Sequence, residues 1–392
     1  MKETLIHSKT ILAGREMSAL KDYAVLIHDD KITDILPLNV ALERRSKECT
    51  ILDLGDATIM PGMVESHNHC ALDARLPGHL GMMNDGTCRL TVLSIHSLRD
   101  DLMSGVTTAR CMGDRDWIDI TLKKEIEAGS IIGPDLFTCG IGMRGLHGHG
   151  FVGIPHTGPE EFRRTARENI LRGCDHLKVF ITAGAPPLAG RVVPYFISGE
   201  EMKMVVDEGK RLGLTVSAHC VGGPGLVEGV KAGIHAFDHL YCASDKEIEL
   251  LIKNNCWAVP TASVFLDPGR EPNCPPAKVD NIHRCRDSIR ERMRILLHSG
   301  IRYAFGTDAY HTFLYREALY ANELGVSEVD CLKALTVWGA ELCGLDDHRG
   351  WLGKGTRADI IAVGGNPLKD LRVLADVSFV MKNGIIYKNS RE

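Results

Sequence analysis

The stretch EEFRRTARENILRGCDHLKVFIT, residues 160–182, carries the unit from which this chain is built. An amphipathic segment runs to a turn glycine, Gly173, and a short apolar run follows. Glycine just past a helix is the left-handed cap that ends it. The same phrase returns along the chain from about Ile59. SLRDDLMSG leads to VTTARCMG, LKKEIEAGSIIG to PDLFTCGIG, and GEEMKMVVDEGKRLG to LTVSAHC. GLVEGVKAG then leads to IHAFDHLY, DKEIELLIKNN to CWAVPTAS, and RCRDSIRERMRILLHSG to IRYAFGTD. With the strand before His67, this predicts eight strands alternating with helices. Eight parallel βα units close into a (β/α)8 barrel, a TIM-like α/β fold of roughly 250 residues, with its chemistry at the carboxyl ends of the strands.

The two ends break this rhythm. YAVLIHDDKITDIL and SFVMKNGIIYK alternate like strand pairs around Asp-Asp-Lys and Lys-Asn-Gly turns, the second a strong hairpin signal. With TILDLGDAT and ADIIAVGG they predict a small β-sandwich assembled from both termini, because each hairpin alone would be marginal. The expected division is 1–57 and 348–392 for the two parts of the sandwich and 58–347 for the barrel. SEVDCLKALTVWGAELCG supplies one or two extra helices at the end of the barrel.

Composition narrows the class. The chain has 392 residues, a formal net charge of −5 and no basic block, which argues against a nucleic-acid partner. No run of 18 apolar residues occurs, so no membrane span is expected. The opening residues lack a signal-peptide pattern, and the 13 cysteines include no Cys-x-x-Cys pair. That usage fits free thiols in a reducing cytoplasm.

The ends of the predicted strands hold a particular set of side chains: His67 and His69, Lys178, His219, His239 and Asp308. Histidines two apart on a strand point the same way, so one strand can offer two imidazoles to one ion. A lysine in such company is out of place as an ammonium, which repels cations. It makes chemical sense as a carbamate, formed with carbon dioxide, that bridges two metals. Cys70 and Cys220 directly follow ligand histidines and are read as packing on the opposite face.

The order His-x-His, Lys, His, His, Asp resembles the amidohydrolase superfamily. PGMVESHNH, SGVTTAR, HGHG, HLKVFITAG, GTDA and GKGTRADIIAVGGNPLKDL narrow the resemblance to its binuclear branch of Xaa-Pro dipeptidase-like, ochratoxinase-like and imidazolonepropionase-like enzymes. The resemblance implies that His67, His69 and Asp308 hold one divalent ion, His219 and His239 a second, and carboxylated Lys178 the bridge. Zinc is the expected metal for a nitrogen-rich set. Activated hydroxide would attack an amide carbonyl while Asp308 moves the proton to the leaving amine. His149 matches a substrate-contacting histidine, with His147 its competitor in the same loop. Tyr241 is the expected oxyanion donor. Arg110, Arg144 and Arg191 are candidate partners for a substrate carboxylate. The expected partners are thus a small-molecule amide bearing a carboxylate and further copies of the chain in a homo-oligomer.

Three segments depart from the family pattern: Asn68 in SHNHC, Cys111 in TTARCMGD, and the proline-rich loop APPLAGRVVPYF. Loops carry specificity in barrels, so these differences bear on substrate and not on metal. Hydrolysis of a cyclic amide, lactone or phosphotriester would use the same ligands. A deaminase would need no strand lysine and would add a His-x-x-Glu motif, whereas CVGGPG follows His219. A non-catalytic scaffold would have lost ligands, and this chain keeps six.

Overall fold

The computed structural model describes residues 3–188 and 190–390, so the outermost residues of the expected terminal segments lie outside the described residues. Within these residues the chain forms two compact units. One runs up to Glu65 and takes in Arg99–Thr108 and the chain from Thr312 onward; the other is Ser66–Leu98 with Ala109–His311.

In the first unit, strands β1 (Glu3–Ala13), β2 (Ser18–His28), β3 (Lys31–Pro37), β4 (Thr50–Asp53) and β5 (Thr58–Pro61) come from the amino-terminal part. The expected limits at 57/58 and 347/348 follow the strand pattern, whereas contacts divide the chain at 65/66 and 311/312. Val64 N–H donates to Leu335 O at 2.7 Å and Thr312 N–H to Asp101 Oδ1 at 2.9 Å, which ties the late helices into this unit. Those helices are two, Glu328–Ala334 and Val337–Leu342.

The boundary falls within β6 (Met63–Asn68) and β7 (Val106–Cys111), and the second unit holds β8 (Asp135–Phe137), β9 (Met143–Gly145), β10 (Ile154–His156), β11 (Leu177–Phe180), β12 (Val216–Cys220), β13 (Ala236–His239), β14 (Trp257–Val259) and β15 (Arg302–Tyr303). The carboxyl-terminal strands β16 (Ile360–Val363), β17 (Val377–Lys382) and β18 (Ile385–Asn389) return to the first unit. Both parts of that unit's sheet share one ladder, in the order β18-β17-β16-β5-β1-β2-β3, with β4 on β1. Hydrogen bonding therefore makes one continuous sheet where two layers are expected. It curls: Ile32 N–H donates to Thr356 O at 2.9 Å, joining the start of β3 to the approach to β16. One face buries Ile6, Ile11, Val25, Ile27, Ile59, Ile360 and Phe379 in a single cluster. The Lys-Asn-Gly turn is the tight hairpin expected, with φ of 49° at Asn383 and 73° at Gly384. A Cβ on Gly384 would lie 1.9 Å from Asp29 O in the neighbouring hairpin tip.

The parallel strands run β6-β7-β8 and β9-β11-β12-β13-β14-β15, with β10 outside β9. Backbone bonds close the circuit at the level of the strand ends. Ser66 N–H donates to Phe305 O, Asp308 N–H to His67 O, both at 3.0 Å, and Met112 N–H to Asn68 O at 2.7 Å. This is a TIM-barrel-like α/β fold. Helices of the repeated phrase end where their glycine or asparagine falls: Gly173 has φ 93° and returns its N–H to Asn169 O, and Asn255 has φ 57°.

The third strand is interrupted. β8 belongs with β7 and β9 with β11, and the intervening backbone donors are met by side chains. Asp119 Oδ2 accepts from Cys139 and Gly140 N–H, each at 2.9 Å, and Asn169 Oδ1 accepts from Ile141 N–H at 3.0 Å. Buried amides require such partners. Among the described residues no helix is long and apolar enough to cross a membrane.

Candidate metal centre

All six expected ligands fall in the unit Ser66–Leu98 with Ala109–His311. β6 delivers His67, and His69 follows two residues on, facing the same side as strand alternation requires. Their Nε2 atoms lie 3.4 and 3.6 Å from Asp308 Oδ1. The candidate ligand atoms of the three residues all lie within 4.8 Å of one another. His219 on β12 and His239 on β13 bring their ring centroids to 4.4 Å, and His239 stands 5.0 Å from His67. Lys178, fully buried on β11, pairs its Nζ with Asp238 Oδ2. The backbone is strained where the set converges. His239, Leu240, Asp308 and Ala309 have φ of 77°, 56°, 56° and 62°, a region that costs a non-glycine residue about 1–3 kcal/mol.

Each histidine sets one ring nitrogen beside a polar partner, and for His69 and His219 a backbone carbonyl fixes what the other nitrogen offers. His69 Nδ1 is 2.8 Å from Gly113 O, so it carries the proton and leaves Nε2 as the lone pair. His219 Nε2 is 3.1 Å from Ala183 O, so its free lone pair is on Nδ1. His67 Nδ1 faces Asp238 Oδ1 at 3.3 Å, leaving Nε2 toward Asp308. His239 Nδ1 sits 2.8 Å from Thr261 Oγ1. The Tyr241 hydroxyl donates to Thr261 O at 3.0 Å and lies 2.7 Å from the same Oγ1. Secondary partners of this kind orient metal-binding histidines.

Burial keeps these imidazoles neutral. It pushes His69 to about 4 and His239 to about 3, with the neighbouring His67 adding to both, and sends His219 well below its ordinary value. His67 differs, because Asp238 and Asp308 outweigh burial and raise it. Neutral imidazoles and an ionised carboxylate are the donors that a divalent transition ion takes. Burial also lowers the Lys178 ammonium, against the opposing pull of Asp238. As an ammonium it disfavours protonation of all four ligand histidines. The same field would repel a metal cation, and converting the amine to a carbamate reverses its sign. The donor set of His67, His69 and Asp308 fits a divalent ion.

A cavity of about 420 Å³ opens onto His69, His219, His239 and Asp308. His149 lines it, its ring tilted against that of His219 at 4.6 Å between centroids, and burial holds it near 4. Gly184 lets the following loop cross over it, since a Cβ there would stand 2.4 Å from the His149 ring. His147 is exposed, edge-on to Phe196 beside a separate shallow depression.

The three candidate arginines do not face this cavity. Arg110 is 1 % exposed, and it donates to Ser66 O at 3.0 Å and to Ser217 Oγ beneath the ligands. Arg144 ties its own loop through the carbonyls of Leu146 and Gly148, and Arg191 is exposed outside the cavity. Tyr241 does line the cavity, but its hydroxyl is engaged with Thr261, which makes it a support for His239 in place of the expected oxyanion donor.

The sequence reading passed over Asp238, Arg270 and Lys278, the last two of which line the cavity. Strict alternation sets Asp238 opposite His239. The left-handed turn beginning at His239 lets both face inward, as the contacts of Asp238 with Lys178 and His67 show. A carboxylate directly before a ligand histidine was the available signal. Cys70 and Cys220 are buried and stand off the ligand set, Cys70 Sγ lying 3.5 Å from Cys111 Sγ.

Comparison with known proteins gives the same outline. The amidohydrolase family pattern matches residues 58–388. The ochratoxinase of Aspergillus niger is 26 % identical, over 99 % of this chain and 87 % of its own. The imidazolonepropionase of Deinococcus deserti is 24 % identical, over 92 % and 90 %. The crystal structure of a Xaa-Pro dipeptidase with bound methionine superposes with a TM-score of 0.86 at 26 % identity, covering 99 % of this chain and all of that one.

Proposed function

The chain belongs to the amidohydrolase family, and from that premise we propose that it is a metal-dependent hydrolase of amide bonds in dipeptides or N-acyl amino acids. The observation that carries this reading is the convergence of buried donors. His67 and His69 Nε2 stand 3.4 and 3.6 Å from the Asp308 carboxylate, and His69, His219, His239 and Asp308 line one cavity. His67, His69 and Asp308 would hold one divalent ion, His219 and His239 a second, with carboxylated Lys178 between them. When bound, the ions, zinc in the first instance, supply Lewis-acid polarisation of the carbonyl and acidify water. The relatives named for ochratoxin and Xaa-Pro cleavage support the choice of an amide, as does a cavity of a size suited to small ligands.

In this reading Asp308 accepts a proton from the attacking water and returns it to the leaving nitrogen, a general acid–base role. His149 contacts the scissile amide or its acyl neighbour from the cavity wall. The barrel of residues 58–347 and the companion β-sandwich from both termini complete the proposed architecture.

Protein expressed with zinc and bicarbonate is expected to hold about two divalent ions per chain by elemental analysis. It is expected to hydrolyse members of a panel of Xaa-Pro dipeptides and N-acyl amino acids. One ion or fewer removes the bridged centre, and cleavage confined to lactones or cyclic amides replaces the substrate class. Tyr241→Phe is expected to lower kcat/KM only several-fold, against the roughly 10²–10³-fold loss of an oxyanion donor. A loss of that larger size would put the hydroxyl at the reacting carbonyl.

A further inference from the structure

Two cations face the cavity, and they are differently employed. Arg270 is 4 % exposed and fully engaged. It donates to Thr307 O at 2.6 Å, Ser263 Oγ at 3.1 Å and Asp308 O at 3.0 Å, with its guanidinium 4.8 Å from the Tyr310 ring. It braces the left-handed turn that presents Asp308. Lys278 lines the same cavity, and among the described residues its side chain makes no hydrogen bond or ion pair.

Its position is unfavourable for a cation. Lys278 lies in the first turn of the 22-residue helix Pro276–Leu297, where the helix dipole favours negative charge, and no acidic residue shares that turn. Arg270 is close enough to repel it electrostatically, and Asp308 close enough to attract it. An anion bound beside Lys278 would relieve both the dipole and the Arg270 repulsion. Of the other cavity-lining groups, Arg270 already donates to Ser263, Thr307 and Asp308. Another wall is apolar, built from Leu72, Met83, Val152 and Phe180.

We propose that Lys278 is the specificity-determining residue that binds the free α-carboxylate of the substrate, with the apolar part of the substrate on the wall of Leu72, Met83, Val152 and Phe180. This rests on the amide-hydrolase reading and names its substrate class: acyl amino acids and dipeptides with an ionised carboxyl terminus. The carboxylate then lies on the leaving-amine side of the bond, near Asp308, which protonates that amine. The basic partner sought among the arginines is supplied by a lysine from a helix.

The test uses metal-loaded enzyme and a matched pair, N-acetyl-phenylalanine and its carboxamide. Wild type is expected to prefer the acid by roughly 30-fold or more in kcat/KM, the size of a charge-assisted contact in a water-poor site. Lys278→Met is expected to remove that preference by raising KM for the acid, with a far smaller change for the carboxamide, and Lys278→Arg to restore most of it. Equal falls for acid and carboxamide would make Lys278 a modulator of Asp308 and overturn the proposal, as would a preference unchanged in Lys278→Met. If wild type turns over neither compound nor any amide of the panel, the proposed function fails separately. Calorimetric binding of N-acetyl-phenylalanine still decides Lys278: a Kd at least ~10-fold weaker in Lys278→Met supports the carboxylate site, and equal Kd values overturn it.

Discussion

Lys178→Ala is expected to leave no measurable amide hydrolysis and a protein that retains fewer metal ions than its parent. The side chain is fully buried at the foot of the histidine set and is the one charged group on β11. Without it no anionic bridge can form between the two ion positions. A short-chain carboxylate such as acetate or propionate is expected to restore part of both metal content and turnover, because it returns the missing oxygen donors. The substitution also has a structural cost. In the unmodified protein it leaves the Asp238 carboxylate buried beside His67 without its cation, and breaking a buried pair costs about 3–5 kcal/mol. The double variant Lys178→Ala, Asp238→Asn separates the two effects. It is expected to regain stability in thermal unfolding while remaining inactive. Full turnover in either variant would remove the carbamate from the mechanism.

Asp308→Asn is expected to behave differently, keeping most of its metal while kcat falls by about 10²–10⁴-fold, the usual worth of a positioned acid–base group. Burial alone would raise the Asp308 carboxyl. His67, His239 and His69 overcome it and hold the group far below the ordinary range, so it is ionised at every pH of interest. The amide oxygen of asparagine can still face His67 and His69, but it cannot take up and return a proton. Elemental analysis and kcat measured on the same preparation distinguish the outcomes. Turnover within a few-fold of wild type would show that another group moves the proton.

Much of this molecule is legible in its sequence, for a physical reason that can be traced element by element. The recurring helix, glycine and apolar run mark boundaries set by local chemistry: Gly173 ends its helix with a φ of 93° because glycine meets no steric barrier there. The Lys-Asn-Gly turn needs two successive positive φ values, which Asn383 and Gly384 tolerate. The ligand set was readable because side-chain alternation carries His67 and His69 to one side, and because strand ends of this fold converge. What period alone misplaced is equally specific. Strict alternation alone would set Asp238 on the far side, and the turn at His239 brings it inward.

The sequence by itself determined the order of elements and marked the six ligand candidates, since caps, turns and side-chain alternation depend on residues close together along the chain. Only the tertiary structure decided which ring nitrogen each histidine offers, because Gly113, Ala183, Asp238 and Thr261 reach those rings from other strands and loops. It also decided which cation meets the cavity. Arg110 points beneath the ligands while Lys278 lines the cavity above them, and that difference arises from packing between distant segments, to which no local pattern responds.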